Sequence, residues 1–481
     1  MASNTLTTKE TNDSPLLVRG NSTIAAISTA PGIGGIAVIR VSGKDALVYS
    51  NAIFSPKKKL ASILNQDAYT ISFGSIINKN ETVDDVLVSV FKAPYSFTGE
   101  NVVEISCHGS VYIKQQILQL LIDQGCVLAQ PGEFTQRAFL NGKMDLSQAE
   151  AVADLIASTS TASHRMAMNQ MRGGFSNELI KLRSQLLDFV SLVELELDFN
   201  EEDVEFADRI KLKTLSCEIE KLISKLSDSF RVGNAIKNGI PVALVGETNV
   251  GKSTLLNLLL NEDKAIVSDV HGTTRDSIED SVNLNGITFR FIDTAGIRNT
   301  KDKVENMGIE RTYQKIEQAS IVLWIVDCTQ VTEHIEWLTD RIAKRSAGKK
   351  VILVFNKIDK IAEDEREVLS QLFEQFEGDR IYISARERIN TEELQKALVT
   401  AAQLPEITPD DIVVNNIRHF EALQNAKIAI SRVVNGLDSG ISGDFLSQDI
   451  RDCMHFLGEI TGQISNDEIL GNIFGKFCIG K

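Results

Sequence analysis

The segment Gly246-Glu-Thr-Asn-Val-Gly251-Lys252-Ser253 constrains the fold of this chain more than any other. An apolar run, Pro241–Val245, leads into it and a helical pattern, Thr254–Leu260, leads out. The spacing GxxxxGK(S/T) between a strand and a helix suits phosphate binding. Its glycines let backbone N–H groups wrap a phosphate, Lys252 reaches the β/γ oxygens, and Ser253 offers its hydroxyl to Mg2+. Asn249, Val250, Gly251, Lys252, Ser253 and Thr254 are therefore candidate nucleotide contacts.

Further features follow in chain order. Thr273 and Thr274 lie in a Gly272–Asp276 loop, where one threonine can reach Mg2+ and a γ-phosphate. Asn285-Gly286 is a hairpin turn signal. The second strand of that hairpin, Ile287–Ile292, ends in Asp293-Thr294-Ala295-Gly296. Asp293 suits Mg2+ held through water, and the Gly296 N–H suits sensing of the γ-phosphate. The buried-strand run Val351–Phe355 ends in Asn356-Lys357-Ile358-Asp359. A carboxylate such as Asp359 accepts from N1–H and the 2-amino group of guanine, a pattern adenine lacks. Strand Ile381–Ile383 leads to Ser384-Ala385-Arg386, whose backbone is placed for the guanine O6. One tetrapeptide alone is weak, but the ordered set predicts a GTPase domain.

Ile297 follows Asp-Thr-Ala-Gly, where a Ras-like enzyme places its water-orienting Gln. An aliphatic side chain cannot orient water, and the P-loop offers no arginine finger. Asn249 is either a ligand for a monovalent cation at the phosphates or a loop-stabilising amide. Glu305 either orients water or is a solvated surface carboxylate. With Lys252, these two are the candidate catalytic residues.

The 481 residues are 43% hydrophobic, enough for several domains with cores of their own. A net charge of −15 argues against non-specific nucleic-acid binding. Cys107, Cys126, Cys217, Cys328, Cys453 and Cys478 form no CxxC pair, so neither a disulfide framework nor a structural zinc site is expected. Apolar runs stay short of the roughly 18 residues a spanning helix needs. Residues 1–22 are polar and read as a tail rather than a secretory signal or transit peptide, so a soluble cytoplasmic protein is expected.

Short strands and helices fill 23–143, and helical periodicity takes over from about Leu146. Leu182, Leu186, Phe189, Val190 and Val193 form one stripe of a long helix. Strand–helix alternation runs from Ile240 to Leu404, where Pro405 and Pro409 mark a boundary. Helical stripes then return at Leu423–Val434 and Leu446–Leu457, and Ser465 with Glu468 is a capping-box signature. Helical flanks on both sides suggest an α/β block inserted into one helical domain, although two separate helical domains read the same way.

The P-loop with its Asn, Gly272-Thr-Thr-Arg-Asp276, Asp293-Thr-Ala-Gly-Ile-Arg298 and the final Phe477-Cys-Ile-Gly-Lys481 together resemble the MnmE (TrmE) family of bacterial tRNA-modification GTPases. Matching blocks extend to Thr29-Ala-Pro-Gly-Ile-Gly-Gly35, Ile39-Arg-Val-Ser-Gly43 and Ser96-Phe-Thr-Gly-Glu100. Two more are Pro131-Gly-Glu-Phe-Thr-Gln-Arg-Ala-Phe-Leu-Asn141 and Lys143-Met-Asp-Leu-Ser-Gln-Ala-Glu150. Ribosome-assembly GTPases share only the G domain with this set.

The resemblance implies a multidomain α/β + α fold. An α+β folate-binding and dimerisation domain spans 23–143, an all-α helical domain is formed by 144–237 and 405–481, and a Ras-like P-loop GTPase domain, 238–404, is inserted in it. It implies K+ at Asn249 with oxygens around Ser268, Val270 and Thr273, Mg2+ at Ser253 and Thr274, and Glu305 as the water-orienting residue. A 5-formyl-tetrahydrofolate-type cofactor is implied at Arg40, Glu104, Lys143 and Lys481. It implies a homodimer that joins an FAD-dependent MnmG (GidA) family protein in a heterotetramer and forms a carboxymethylaminomethyl group on C5 of wobble uridine-34 of tRNA. Cys478 goes with the folate site as a family signature, with no base identified beside it, and His108 reads as structural. The rival readings are a regulatory GTP switch for RNA or ribosome assembly without folate chemistry, and a degenerate member that binds GTP without hydrolysing it.

Overall fold

The structure, a computed structural model, describes residues 22–57, 62–198, 209–263, 280–292, 316–330, 346, 348–374, 376, 378–404, 411–464 and 467–480. Two compact units divide the chain. The first draws on Met1–Ala153, Gln170–Cys217 and Ile428–Lys481, the second on Asp154–Asn169 and Glu218–Lys427.

In the first unit, alternating β-branched residues build a seven-stranded sheet. Its strands are β1 (Ile24–Ile27), β2 (Gly34–Ser42), β3 (Phe54–Pro56), β4 (Thr70–Asn78), β5 (Glu81–Phe91), β6 (Val102–Gly109) and β7 (Val127–Leu128). They lie in the order β3-β4-β5-β6-β2-β1-β7, antiparallel except for β1 beside β7. Val86, Val88 and Val90 of β5 point inward at period two, as do Val103, Ile105 and Cys107 of β6. Helices α1 (Ala46–Ile53) and α2 (Val111–Asp123) cover that face with Ala46, Ile53, Ile117 and Leu121. Each fully buried Ile or Leu among them contributes about 1.5–3 kcal/mol. The buried Lys114 of α2 ties down the glycine-rich loop through a 2.7 Å bond to the Gly32 carbonyl.

The helical part of this unit uses α3 (Glu133–Leu140), the start of α4 (Leu146–Ala157), and α6 (Gly174–Asp198), which follows α5 (Thr161–Met171). The Leu182, Leu186, Val190 and Val193 stripe is buried, and α6 packs against the helix Gly443–Thr461. Glu194 accepts there from Ser447 (3.2 Å) and from Arg451 Nε (2.9 Å). Helix Asp467–Phe474 sets Leu470 and Phe474 against Leu146 and Ala149. The chain then returns beside the segment after β7, where Ile479 forms an isolated bridge with Pro131 outside the sheet. The Ser465–Glu468 capping signature lies outside the described side chains.

The second unit holds a six-stranded sheet of β8 (Ile240–Val245), β9 (Asp280–Leu284), β10 (Ile287–Phe291), β11 (Ile321–Asp327), β12 (Lys350–Asn356) and β13 (Asp379–Ile383). The order is β13-β12-β11-β8-β10-β9, parallel except for the β9–β10 hairpin. Val242 and Leu244 serve one core while Ala243 and Val245 serve the other, so both faces are covered, as parallel sheets require. Strand β11, which no motif marks in the sequence, is buried at all seven positions. Within this unit, the part of α7 (Arg209–Asn238) from Glu218 onward stacks Phe230 on Phe420 at 4.5 Å, and Gln424 donates to Ser227. Among the described residues no helix is long and apolar enough to cross a membrane.

Candidate functional site

The phosphate loop leaves β8 and enters α8 (Lys252–Asp263), as its spacing predicts. Gly251 has φ 101°, and a Cβ there would lie 2.2 Å from the Asn356 amide nitrogen. Asn249 adopts the left-handed conformation at φ 66° and is exposed at the loop tip. Lys252 Nζ lies across the loop, donating to the carbonyls of Gly246 (2.8 Å) and Glu247 (2.6 Å). Ser253 and Thr254 are exposed at the helix start, and Val250 is buried in the core beneath. An exposed helix N-terminus with a nearby ammonium favours an anion.

The loop Asn356-Lys357-Ile358-Asp359 is joined to the phosphate loop directly. Asn356 is buried; its Nδ2 donates to the Val250 carbonyl at 2.7 Å and its Oδ1 accepts from the Ala385 N–H at 3.0 Å. Lys357, at φ 67°, donates from Nζ to the neighbouring Asn249 carbonyl at 2.9 Å. The same ammonium pairs with Asp327, a residue that sequence analysis misses because no motif contains it. Asp359 stands exposed on the turn Ile358–Lys360, where a base edge can meet it. Ser384 is buried and accepts from the Glu387 N–H, while Arg386 is exposed. Ser268, Val270, Thr273, Thr274, Asp293, Thr294, Ala295, Gly296, Ile297 and Glu305 lie outside the described residues.

On the N-terminal sheet, Arg40 of β2 and Glu104 of β6 are register partners. Arg40 reaches Glu104 Oε1 from both Nε (2.9 Å) and Nη2 (2.8 Å), and its guanidinium lies 5.6 Å from the ring centres of Phe97 and of Phe134. Both contacts fall on Oε1, and among the described residues Glu104 Oε2 takes no part in the pair. Lys143 donates to the Pro94 carbonyl at 3.0 Å. Lys481 lies outside the described residues, but Gly480 before it accepts from Ser28 Oγ at 3.0 Å. Cys478 is exposed.

Beneath lies a network to which sequence analysis assigns no role. Arg137 is buried between Glu133 (2.9 Å) and Glu100 (3.0 Å), and Glu100 also accepts from Ser42 at 2.7 Å. Both Glu100 and Arg137 stand in the family-matching blocks, which is the signal the sequence offers for them. His108 Nδ1 sits 2.7 Å from Asp84 Oδ1, while His455 engages Glu459 at 3.2 Å.

A mostly parallel sheet with a phosphate loop after β8 and a buried Asn356 pinned to that loop defines a P-loop GTPase. Residues 23–143 match the family model described as the GTP-binding protein TrmE N-terminus, and residues 146–478 match the MnmE helical domain. The chain belongs to the MnmE family of GTPases. It is 62% identical over 462 residues to the tRNA modification GTPase MnmE of Bacteroides thetaiotaomicron, covering 95% of this chain and 99% of the relative. The protein of the same description from Flavobacterium johnsoniae is 52% identical over 461 residues, with 95% of this chain and 99% of the relative covered. A crystal structure of an Aquifex aeolicus Era variant bound to GDP.AlF4- is 30% identical. It covers 39% of this chain and 66% of that one at a TM-score of 0.27, too low to bear on function.

Proposed function

We propose that this GTPase is K+-stimulated and acts in tRNA modification, forming the carboxymethylaminomethyl group at C5 of wobble uridine-34 with a flavin-dependent MnmG-type partner. GTP is the substrate. Mg2+ is assigned to Ser253 and Thr274, and K+ to Asn249 with oxygens around Ser268, Val270 and Thr273. Lys252 stabilises phosphate charge and Glu305 orients the water. The domain ranges, the homodimer, the heterotetramer and a cytoplasmic location belong to the same proposal.

The observation that carries the folate part is the return of the C-terminus to the N-terminal sheet. Gly480 sits on Ser28, which follows β1, and β1 pairs Ala26 with Arg40. Gly480, the residue before Lys481 in the sequence, thus lies on the segment that follows the strand paired with Arg40. Glu104 Oε2 suits the donor edge of a pterin, and lysine ammonium groups suit the glutamate tail. When bound, the folate would supply a one-carbon unit; the chain's own residues hold and orient it.

The test has two parts. GTP turnover is compared in KCl and NaCl at equal ionic strength for the parent protein and Asn249→Ala, and binding of 5-formyl-tetrahydrofolate is compared for the parent and Arg40→Ala. K+-selective turnover lost in Asn249→Ala, with folate binding lost in Arg40→Ala, is the expected result. Equal slow turnover in both salts without folate binding would leave a regulatory GTP switch as the better reading.

A further inference from the structure

We propose that Asp327 is a positioning residue of the guanine-nucleotide site, holding the Lys357 ammonium on the Asn249 carbonyl so that the base-reading and phosphate loops are set as one piece. Asp327 is the last residue of β11, directly opposite Asn356 in the sheet register. Its side chain is only 6% exposed. One oxygen, Oδ1, accepts from the Thr329 N–H (3.0 Å) and from Thr329 Oγ1 (2.7 Å), which fixes the carboxylate's orientation. The other, Oδ2, is thereby turned to Lys357 Nζ.

Lys357 and Asn249 are both non-glycine residues in the left-handed region, at φ 67° and 66°. Such conformations are costly and persist only where surrounding contacts hold them. The contact here is one ammonium bonded to Asn249 at one side and to Asp327 at the other. Asn356 grips the next carbonyl, that of Val250, with a neutral amide already satisfied by Ala385. The Lys357 ammonium is anchored differently, by a charge. Without the carboxylate this group, 27% exposed, would be drawn to solvent or to the nucleotide, and the Asn249 carbonyl would lose its donor. Asp327 therefore acts on the ligand without touching it. Nucleotide residence depends on it directly; a dependence of K+ half-activation on it rests further on the assignment of K+ to Asn249.

The experiment is a double-mutant cycle on the full-length protein with release of a fluorescent (mant) GDP as readout. Asp327→Asn keeps the Thr329 acceptor but presents an amide to Lys357. It is expected to speed release by about tenfold or more, the scale of a lost charge-assisted bond. In a Lys357→Met background the same substitution is expected to add no more than about twofold. Thr329→Val, which removes one of the two bonds that aim the carboxylate, is expected to fall between and serves as the second variant if Asp327→Asn misfolds by circular dichroism. Parent-like release in the folded variants, or effects of Asp327→Asn and Lys357→Met that simply add, would overturn the proposal. Turnover of the parent in KCl and NaCl is measured alongside. Equal rates there would remove the K+ assignment, while the role of Asp327 would still be decided by the release cycle.

Discussion

Ser28 and Gly480, 452 positions apart, are joined by a hydrogen bond from Ser28 Oγ to the Gly480 carbonyl. Gly480 has φ 93°, and a Cβ there would lie 2.5 Å from the Ile27 carbonyl. No side chain fits without moving β1. Gly480→Ala is expected to weaken binding of 5-formyl-tetrahydrofolate about tenfold while GTP turnover stays within about twofold, since the strain falls on one unit only. Calorimetry and phosphate release on the same preparation check both halves.

Gly251→Ala should abolish nucleotide binding. Its φ of 101° excludes a side chain, and the added carbon would strike the Asn356 amide that bonds Val250. Loss of fluorescent-GTP binding with an unchanged circular dichroism spectrum is the expected outcome.

Asp359→Asn should exchange guanine for xanthine. The exposed carboxylate matches N1–H and the 2-amino group, whereas an amide matches the xanthine 2-carbonyl. Loss of GTP turnover on the order of a hundredfold, with gain of XTP turnover, is expected from paired donors left unmet. Steady-state rates with both nucleotides decide it.

Thiol reactivity should separate the cysteines. Burial pushes Cys107 up to about 11, with the nearby Asp84 charge adding to it. Burial likewise pushes Cys126, Cys328 and Cys453 up to about 12. Near pH 8 about one part in a thousand or less of each is thiolate, the reactive form. Brief iodoacetamide treatment of the folded protein should therefore label the exposed Cys478 first and spare those four, as read by peptide mass spectrometry.

Acid should erase the stability contributed by Asp327. Burial works against its ionisation, but the hydrogen bonds from Lys357 and Thr329 outweigh it and hold the carboxyl below the usual 3.8. A depressed folded-state value means stability that is present above 3.8 and is lost as pH falls through the lower folded value. The charge bearing on the group is that of Lys357. The gap in urea stability between the parent and Asp327→Asn should stay constant from neutral pH down to about 3.8 and close as pH falls from there through the lower folded value.

Local chemistry is legible from the chain alone. The phosphate loop and the Asn285-Gly286 hairpin follow from apolar runs that end in Gly and Asn, which tolerate positive φ, and the strand leading to Asn356 follows from its apolar run alone. The buried stripe of α6 follows from helical spacing in the same way. These signals need only neighbours within a few residues.

Long-range partnerships are not legible. Sequence analysis assigns Arg40 and Glu104 as separate ligand contacts, yet the β2–β6 register sets them opposite one another, so part of each charge is spent on the other. Asn356 reads as a base contact, but its buried amide also spans Val250 and Ala385, 106 and 29 positions away. Asp327 carries no motif because its partner lies 30 residues on and meets it only when β11 and β12 pair. The order of residues along the chain specifies the elements, the phosphate loop and the family, since backbone conformation and apolar periodicity are encoded by near neighbours. Which charges meet is a property of the folded chain, because strand register brings together residues whose separation in sequence says nothing of their distance in space.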